Sequence, residues 1–257
     1  MTRGCSRVWV LVVLALAGCS ALRPPARPIA GGVSAEQLLD ALAARRAALT
    51  SLRARARLKA GLAGMWARQA VLVQRPSEVR MDVLSPFGLA LAVGAQRDLL
   101  WAYSPSQQVR YEGDANPQNV ARFLGAPVSM SDLVDILMGL PPARTATATP
   151  TLERDAEQRI VLTIAFDGGT QRLWFDPLTL EPARVEERRG DTLNFTLAFD
   201  DYREGFPYAL DVASPLGGSS ARLAYDEVER NPSLDPSLFA PPSTPRVLPL
   251  EAATTSG

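Results

Sequence analysis

The sequence predicts an α+β protein whose main element is an unclosed, strongly curled antiparallel β half-barrel. Three observations predict it: apolar and polar residues alternate along many short stretches, turn-forming residues separate those stretches, and only two regions show helical spacing. Alternation with a period of two puts one face of each strand against the core. We expect about ten to twelve strands, with an N-terminal helix and a central helix pair plugging the concave face.

The N-terminal helix is expected to begin at Ser34. Ser34 and Gln37 have the spacing of a capping box, and Leu38 and Leu42 follow at helical spacing. The period then changes to two, and residues 52–60 alternate apolar side chains with four basic ones, Arg53, Arg55, Arg57 and Lys59. This basic stripe is typical of a solvated strand face, although contact with anionic lipid is the alternative.

The remaining strands follow from the same alternation. We expect them at residues 79–83, 89–93, 101–103, 162–166, 172–175, 184–189, 193–199, 208–213 and 221–228. Because short turns such as Asp167–Gly169 join them, they predict one large antiparallel meander.

Helical spacing returns only in the middle of the chain. A short helix is expected around Val120–Leu124, and a second around Leu133–Leu140, with Ser129 or Ser131 placed to cap it. Pro141 should end the second helix because proline cannot continue one.

Composition excludes several kinds of chemistry. The 27 basic residues balance 27 acidic ones, so no global field indicates a nucleic-acid partner. Histidine is absent, which excludes histidine-based catalysis and most zinc sites. Carboxylate pairs such as Asp200-Asp201 and Glu186-Glu187 lie on adjacent strand positions and so point to opposite faces. We therefore expect no enzyme, no cofactor and no metal.

The N-terminus has the three-part form of a secretory signal. Arg3 and Arg7 precede an apolar run from Val8 to Ala17, which is too short to span a bilayer as a helix. The segment Leu16–Cys19 looks like a bacterial lipobox, in which cleavage leaves an acylated Cys19. The alternative is an ordinary signal peptide with an accidental cysteine.

These features divide the chain into four parts. Residues 1–18 are expected to be a lipoprotein signal peptide, and residues 19–33 the lipidated cysteine with a Pro/Gly-rich tether. The folded domain is expected to run from residue 34 to 240, with a disordered tail from 241 to 257. Ser20 after the lipidated cysteine, in place of aspartate, favours the periplasmic face of the outer membrane.

A hairpin tip is expected between two of the strands. In Leu84–Leu89 the turn formers Ser85, Pro86 and Gly88 surround the aromatic Phe87. Since tips face water, the ring either packs back on its own sheet or contacts an apolar partner outside the protein.

Together these segments resemble a known family. The order is Ser85-Pro86-Phe87-Gly88, then Leu124-Gly125-Ala126-Pro127-Val128, then Leu133–Pro141, with a final Asn231–Phe239 segment. It resembles the LolB family of outer-membrane lipoprotein receptors and, more broadly, the LolA/LolB superfamily. The resemblance covers most of residues 45–240.

The resemblance implies an apolar cavity that holds the acyl chains of another lipoprotein, received from a LolA-like periplasmic carrier and released into the outer membrane. It implies that Pro86, Phe87 and Gly88 form a membrane-insertion loop, with an aromatic where the family has an aliphatic residue. The residues expected to line the cavity are Met81, Val83, Leu91, Val93, Trp101, Phe123, Leu133, Ile136, Leu137, Leu140, Ile164, Phe195 and Leu197.

Two alternatives to a lipoprotein receptor remain. The same fold could carry another envelope lipid or glycolipid, or the chain could be a structural lipoprotein that tethers a partner to the membrane. In each case we expect a monomer held to the membrane by its lipid.

Overall fold

The structure is a computed structural model that describes residues 32–60, 66–124, 127–215 and 219–250. The predicted signal peptide, Cys19 and the tether up to residue 31 lie outside the described residues. Among the described helices, none is long and apolar enough to cross a membrane.

The N-terminal helix, α1, is confirmed at Ala35–Ala48. Ser34 is its N-cap: the hydroxyl accepts a hydrogen bond from the Gln37 backbone N–H, and the Gln37 side chain accepts one from the Ser34 N–H. Leu38 and Leu42 are buried, so this helix packs its leucine face on the core.

One sheet of fourteen strands makes up most of the described chain. In chain order the strands are β1 Ser51–Ala60, β2 Trp66–Gln74, β3 Glu78–Ser85, β4 Gly88–Gln96, β5 Leu99–Ser104, β6 Val109–Asp114, β7 Thr151–Arg154, β8 Ile160–Phe166, β9 Gly169–Phe175, β10 Pro182–Arg189, β11 Thr192–Arg203, β12 Phe206–Ser214, β13 Ser219–Arg230 and β14 Arg246–Pro249.

The sheet is open, as predicted. Its spatial order is β14-β6-β5-β4-β3-β2-β1-β13-β12-β11-β10-β9-β8-β7, so β1 and β13 join the two halves at the centre and β14 and β7 are the edges. Neighbours are antiparallel except at one edge, where β14 runs parallel to β6. The prediction of a purely antiparallel sheet of ten to twelve strands is corrected on both counts.

Two short helices, α2 (Pro117–Leu124) and α3 (Met130–Leu137), follow β6. Ser129 rather than Ser131 caps α3, accepting a hydrogen bond from the Asp132 N–H at 3.1 Å. The helix ends before Leu140: Gly139, at φ +70°, donates to the Ile136 carbonyl, and Leu140 donates to Asp135. This paired pattern around a left-handed glycine is a Schellman cap.

A single apolar cluster joins α1 and α3 to one face of the sheet. The opposite face is largely polar, but a 3-10 turn, Pro236–Phe239, covers part of it and contacts β3 and β4. Phe239 is fully buried there. The two faces of the sheet therefore bury two separate sets of side chains.

The C-terminal segment departs from the prediction of a disordered tail after residue 240. Arg246–Pro249 pairs with β6, and the side chain of Leu250 is fully buried in the main apolar cluster. The physical reason is that β6 has an edge that can pair, and β14 supplies its hydrogen-bonding partners.

Candidate functional site

The β3–β4 hairpin holds its tip residue entirely in solvent. Pro86 and Phe87 connect Ser85 to Gly88, and the relative exposure of Phe87 is 101%. The Ser85 hydroxyl accepts a hydrogen bond from the Phe87 N–H at 3.2 Å and donates one to the Gly88 carbonyl at 3.0 Å. Gly88 has φ +111°, which is strained for residues with a side chain. The ring therefore does not pack back on its own sheet.

Other large apolar side chains lie beside this tip. Leu84 and Trp66 are exposed, and Arg68 lies between them on the sheet, directly opposite Leu84. Lys59 is paired opposite Trp66, and the Arg57 guanidinium lies 5.5 Å from the centre of the Trp66 ring. This end of the strands β1 to β4 thus combines exposed apolar and basic groups.

A small apolar cavity lies between the helices and the first half of the sheet. Its volume is about 40 Å³, and its lining consists of Val79, Met81, Val93, Gly94, Ala95, Leu100, Val120, Met130 and Leu133. Three of the predicted acyl-chain residues, Met81, Val93 and Leu133, meet here. The volume is close to that of one water molecule, whereas ligand pockets usually measure about 300–1,000 Å³. An acyl chain would enter only if α2 and α3 moved away from the sheet.

The other predicted cavity residues lie elsewhere in the core. Ile136, Leu137 and Leu140 are buried on or just after α3, and Ile164, Phe195 and Leu197 are buried in the second half of the sheet. Val83 and Leu91 are half-buried partners on β3 and β4, between the cavity and the tip. The side chain of Phe123 lies outside the described residues.

The structure corrects the placement of Trp101. Leu100 lines the cavity, and because successive strand residues point to opposite faces, Trp101 lies on the other face of the sheet. Its indole N–H donates to the Phe239 carbonyl at 3.1 Å. Gly94 makes room for it, since a Cβ there would lie 2.3 Å from the indole ring. Residues 99–103 are all apolar, so their pattern does not indicate which face of the sheet each side chain takes.

Two groups of ion pairs hold α3 in place, and neither is predicted by the sequence analysis. Asp135, on α3, is buried and accepts hydrogen bonds from Arg46 of α1 and from Arg75 of the β2–β3 turn, at 3.1 and 2.8 Å. It also accepts one from the Ala143 N–H at 3.2 Å. Asp135 therefore ties α3 to the first half of the sheet.

The second group of ion pairs ties α3 to the other half. Arg144 lies 2.7 Å from Asp132 of α3 and 2.6 Å from the buried Glu187 of β10. Burial alone would lower the pKa of Arg144, but both carboxylates raise it and outweigh that effect. The Asn194 side chain also donates to Glu187 at 3.2 Å. Helix α3 is thus fastened by charge on both sides.

The described residues contain no cluster of acidic, cysteine or histidine side chains suited to a metal ion.

Solved structures share this fold. A LolA superfamily protein from Nitrosomonas europaea matches with a TM-score of 0.55 and 16% identity, covering 82% of this chain and 99% of that one. A domain described as an outer membrane lipoprotein-sorting protein, from Vibrio parahaemolyticus, matches with a TM-score of 0.52 and 17% identity, covering 80% and 97%.

A DUF1329 family protein from Desulfovibrio piger has the same TM-score, 0.52, at 13% identity, with 80% of this chain and 97% of that chain covered. No family model and no curated protein matches the sequence. At these identities the likeness shows a LolA-like fold. The narrower LolB assignment stays a prediction.

Proposed function

We propose that this protein is anchored by lipid at Cys19 to the periplasmic face of the outer membrane and inserts the acyl chains of other lipoproteins there. In this proposal a LolA-like carrier delivers the cargo, and the protein acts as a monomer without enzymatic activity. The proposal also includes the predicted strong curl of the sheet, because a curled sheet would surround the acyl chains of the cargo.

The observation that carries the proposal is the complete exposure of Phe87 at a hairpin tip. Leaving a Phe side chain in water instead of burying it costs about 1.5–3 kcal/mol, and contact with lipid recovers that free energy. The same term explains how cargo could move without an external energy source. An acyl chain would leave one apolar site for another, so only a modest affinity difference is needed.

The cavity is too small to hold an acyl chain, so binding requires α2 and α3 to move away from the sheet. A chain that entered between the sheet and α3 would contact Met81 and Val93 on the sheet and Leu133 on the helix, all of which already line the cavity. The ion pairs of Asp135 and Arg144 would then have to break or rearrange. Arg46 and Arg75 are partly exposed, so water can solvate these two guanidinium groups as they separate from Asp135. The pair of Arg144 with Glu187 is buried, so breaking it costs more.

Transfer of a labelled lipoprotein from its carrier into liposomes tests the proposal. We expect Phe87→Glu to accept cargo normally but to insert it at least about tenfold more slowly, since apolar contact with the bilayer is lost. Leu178→Glu is the matched control: Leu178 is 90% exposed in the β9–β10 turn at the opposite end of the strands. If the parent protein accepts no lipoprotein, the proposed receptor function is wrong.

The cavity volume favours one alternative, a structural lipoprotein whose core excludes ligands. A fluorescent fatty acid distinguishes the two, because a receptor should bind it and a tether should not. If acyl probes bind but no lipoprotein is accepted, the cargo is another envelope lipid or glycolipid.

A further inference from the structure

The basic stripe of β1 is neutralised along most of its length. Arg53 pairs with Glu229 at 2.8 Å, Arg55 with Glu227, and Arg57 with Asp226 at 3.0 Å. All three acids lie on β13, the neighbouring strand. This part of the stripe is therefore a solvated, charge-balanced strand face, as the sequence favours.

The end of the stripe nearest the tip differs. Lys59 and Arg68 are exposed, and among the described residues neither has an ion-pair partner. Arg68 also stands directly opposite Arg57, and like charges placed opposite each other destabilise a sheet. Asp82 is an acidic residue on β3 that faces the same side of the sheet as Leu84, and it already pairs with Arg80 at 2.9 Å. Two positive charges are left without compensation.

Exposed apolar groups surround these two charges. Trp66 is opposite Lys59, Leu84 is opposite Arg68, and Phe87 extends beyond both. Tryptophan favours the membrane interface because its ring is apolar and its N–H is polar. Lysine and arginine next to apolar groups can keep their charged ends at the level of lipid phosphates. This combination complements a bilayer surface better than a second protein surface, which is depleted of lysine at its core.

We propose that Lys59, Arg68 and Trp66 form a binding site for the headgroups of anionic phospholipids. The site would hold this end of the strands against the bilayer while Phe87 reaches the acyl layer. The inference rests on the proposed function in one respect, that this end of the strands faces the membrane. It adds the lipid charge that is recognised and the residues that recognise it.

The proposal is tested by measuring how a protein that begins at Ser20 binds to lipid vesicles. This protein lacks the acylated cysteine but retains every described element. Vesicles of phosphatidylethanolamine with phosphatidylglycerol are compared with vesicles of phosphatidylcholine alone. Each basic residue near an anionic surface contributes enough for about a fivefold change, so Lys59→Gln with Arg68→Gln should bind the anionic vesicles about 25-fold more weakly. Added salt should reduce binding of the parent and have less effect on the double variant.

Arg53→Gln is the control, because Arg53 belongs to the same stripe but is already paired with Glu229. We expect its vesicle affinity to stay within about twofold of the parent. Equal binding of the parent to both kinds of vesicle, or an unchanged double variant, would overturn the headgroup site. Circular dichroism establishes that the variants are folded.

The two proposals fail in different ways. If Phe87→Glu blocks insertion while the double variant binds vesicles like the parent, the receptor function stands and the headgroup site is wrong. If the parent binds anionic vesicles through Lys59 and Arg68 but accepts no lipoprotein, the headgroup site stands and the receptor function is wrong.

Discussion

The two halves of the sheet bury their apolar face in different ways. In the second half, large aromatic rings fill the interior, and Phe175, Phe195 and Phe199 are at most 3% exposed. In the first half the space below α2 and α3 is lined by smaller or half-buried groups such as Ala95, Met81 and Val93, and a cavity remains. The first half is therefore packed less completely than the second. We call the second half the support half and the first half the adaptable half, and we expect the adaptable half to rearrange more easily.

The largest expected effect comes from Phe195 in the support half. Phe195→Ala should lower the free energy of unfolding by about 3–5 kcal/mol, because it leaves a cavity in a closely packed region. Met81→Ala, in the adaptable half, should cost less than about 2 kcal/mol, since Met81 is half-buried already. Urea denaturation measures both. Equal losses would remove the contrast between the halves.

The ion pairs that hold α3 should come next in size. Asp135→Asn leaves Arg46 and Arg75 without their shared carboxylate and should cost about 3 kcal/mol in unfolding free energy. A fluorescent fatty acid should also bind faster, because α3 separates from the first half of the sheet more easily. Asp226→Asn, which breaks the exposed pair with Arg57, should cost less than about 1 kcal/mol. A slower or unchanged rate of fatty-acid binding would show that α3 does not limit access.

Filling the cavity should affect binding more than stability. Ala95→Val adds two carbon atoms at a buried lining position and should change the unfolding free energy by less than about 1.5 kcal/mol. It should weaken fatty-acid binding, because it occupies space that the chain needs. Ala213→Val on the outward face of β12 is the control, and titration with the fluorescent probe compares them. Equal affinities would place the ligand elsewhere.

The smallest effect concerns pH and the outer face of the support half. The pKa of Asp211 is raised, mainly because partial burial disfavours its charged form, although Arg222 opposes the shift. The folded protein therefore binds this proton more tightly than the unfolded one, and the contribution of Asp211 to stability should fall as pH rises from about 3.9 through its raised pKa. Asp211→Asn should remove that part of the pH dependence in thermal melts. Parallel curves for the two proteins would contradict this assignment.

Local signals predicted local structure well. The Ser34 capping box and the strands around Val83, Ile164 and Leu197 are all confirmed, because each depends on neighbouring residues and a clean alternation. The sequence does not predict strand β2, because Gln69 faces the core and interrupts the apolar pattern. Strands β7 and β14 are only four residues long and carry almost no periodicity.

The candidate site was harder to predict because its parts are distant in sequence. Phe87 was identified because a large aromatic between turn formers is conspicuous. The pairs formed by Asp135 and Arg144 join residues far apart along the chain, and nothing local marks them. The apolar residues on the inward face could not be divided between core and cavity, because both uses require the same side chains. Only the packing of α2 and α3 made that division.

The parallel strand β14 also has a consequence for the solubility of this chain. An uncovered edge strand offers unpaired backbone groups to any other chain, and short edges containing proline limit such pairing. Arg246–Pro249 provides both features and covers β6, Val109–Asp114, which is longer. A chain shortened to residue 240 would expose β6, and we expect it to aggregate as its concentration rises.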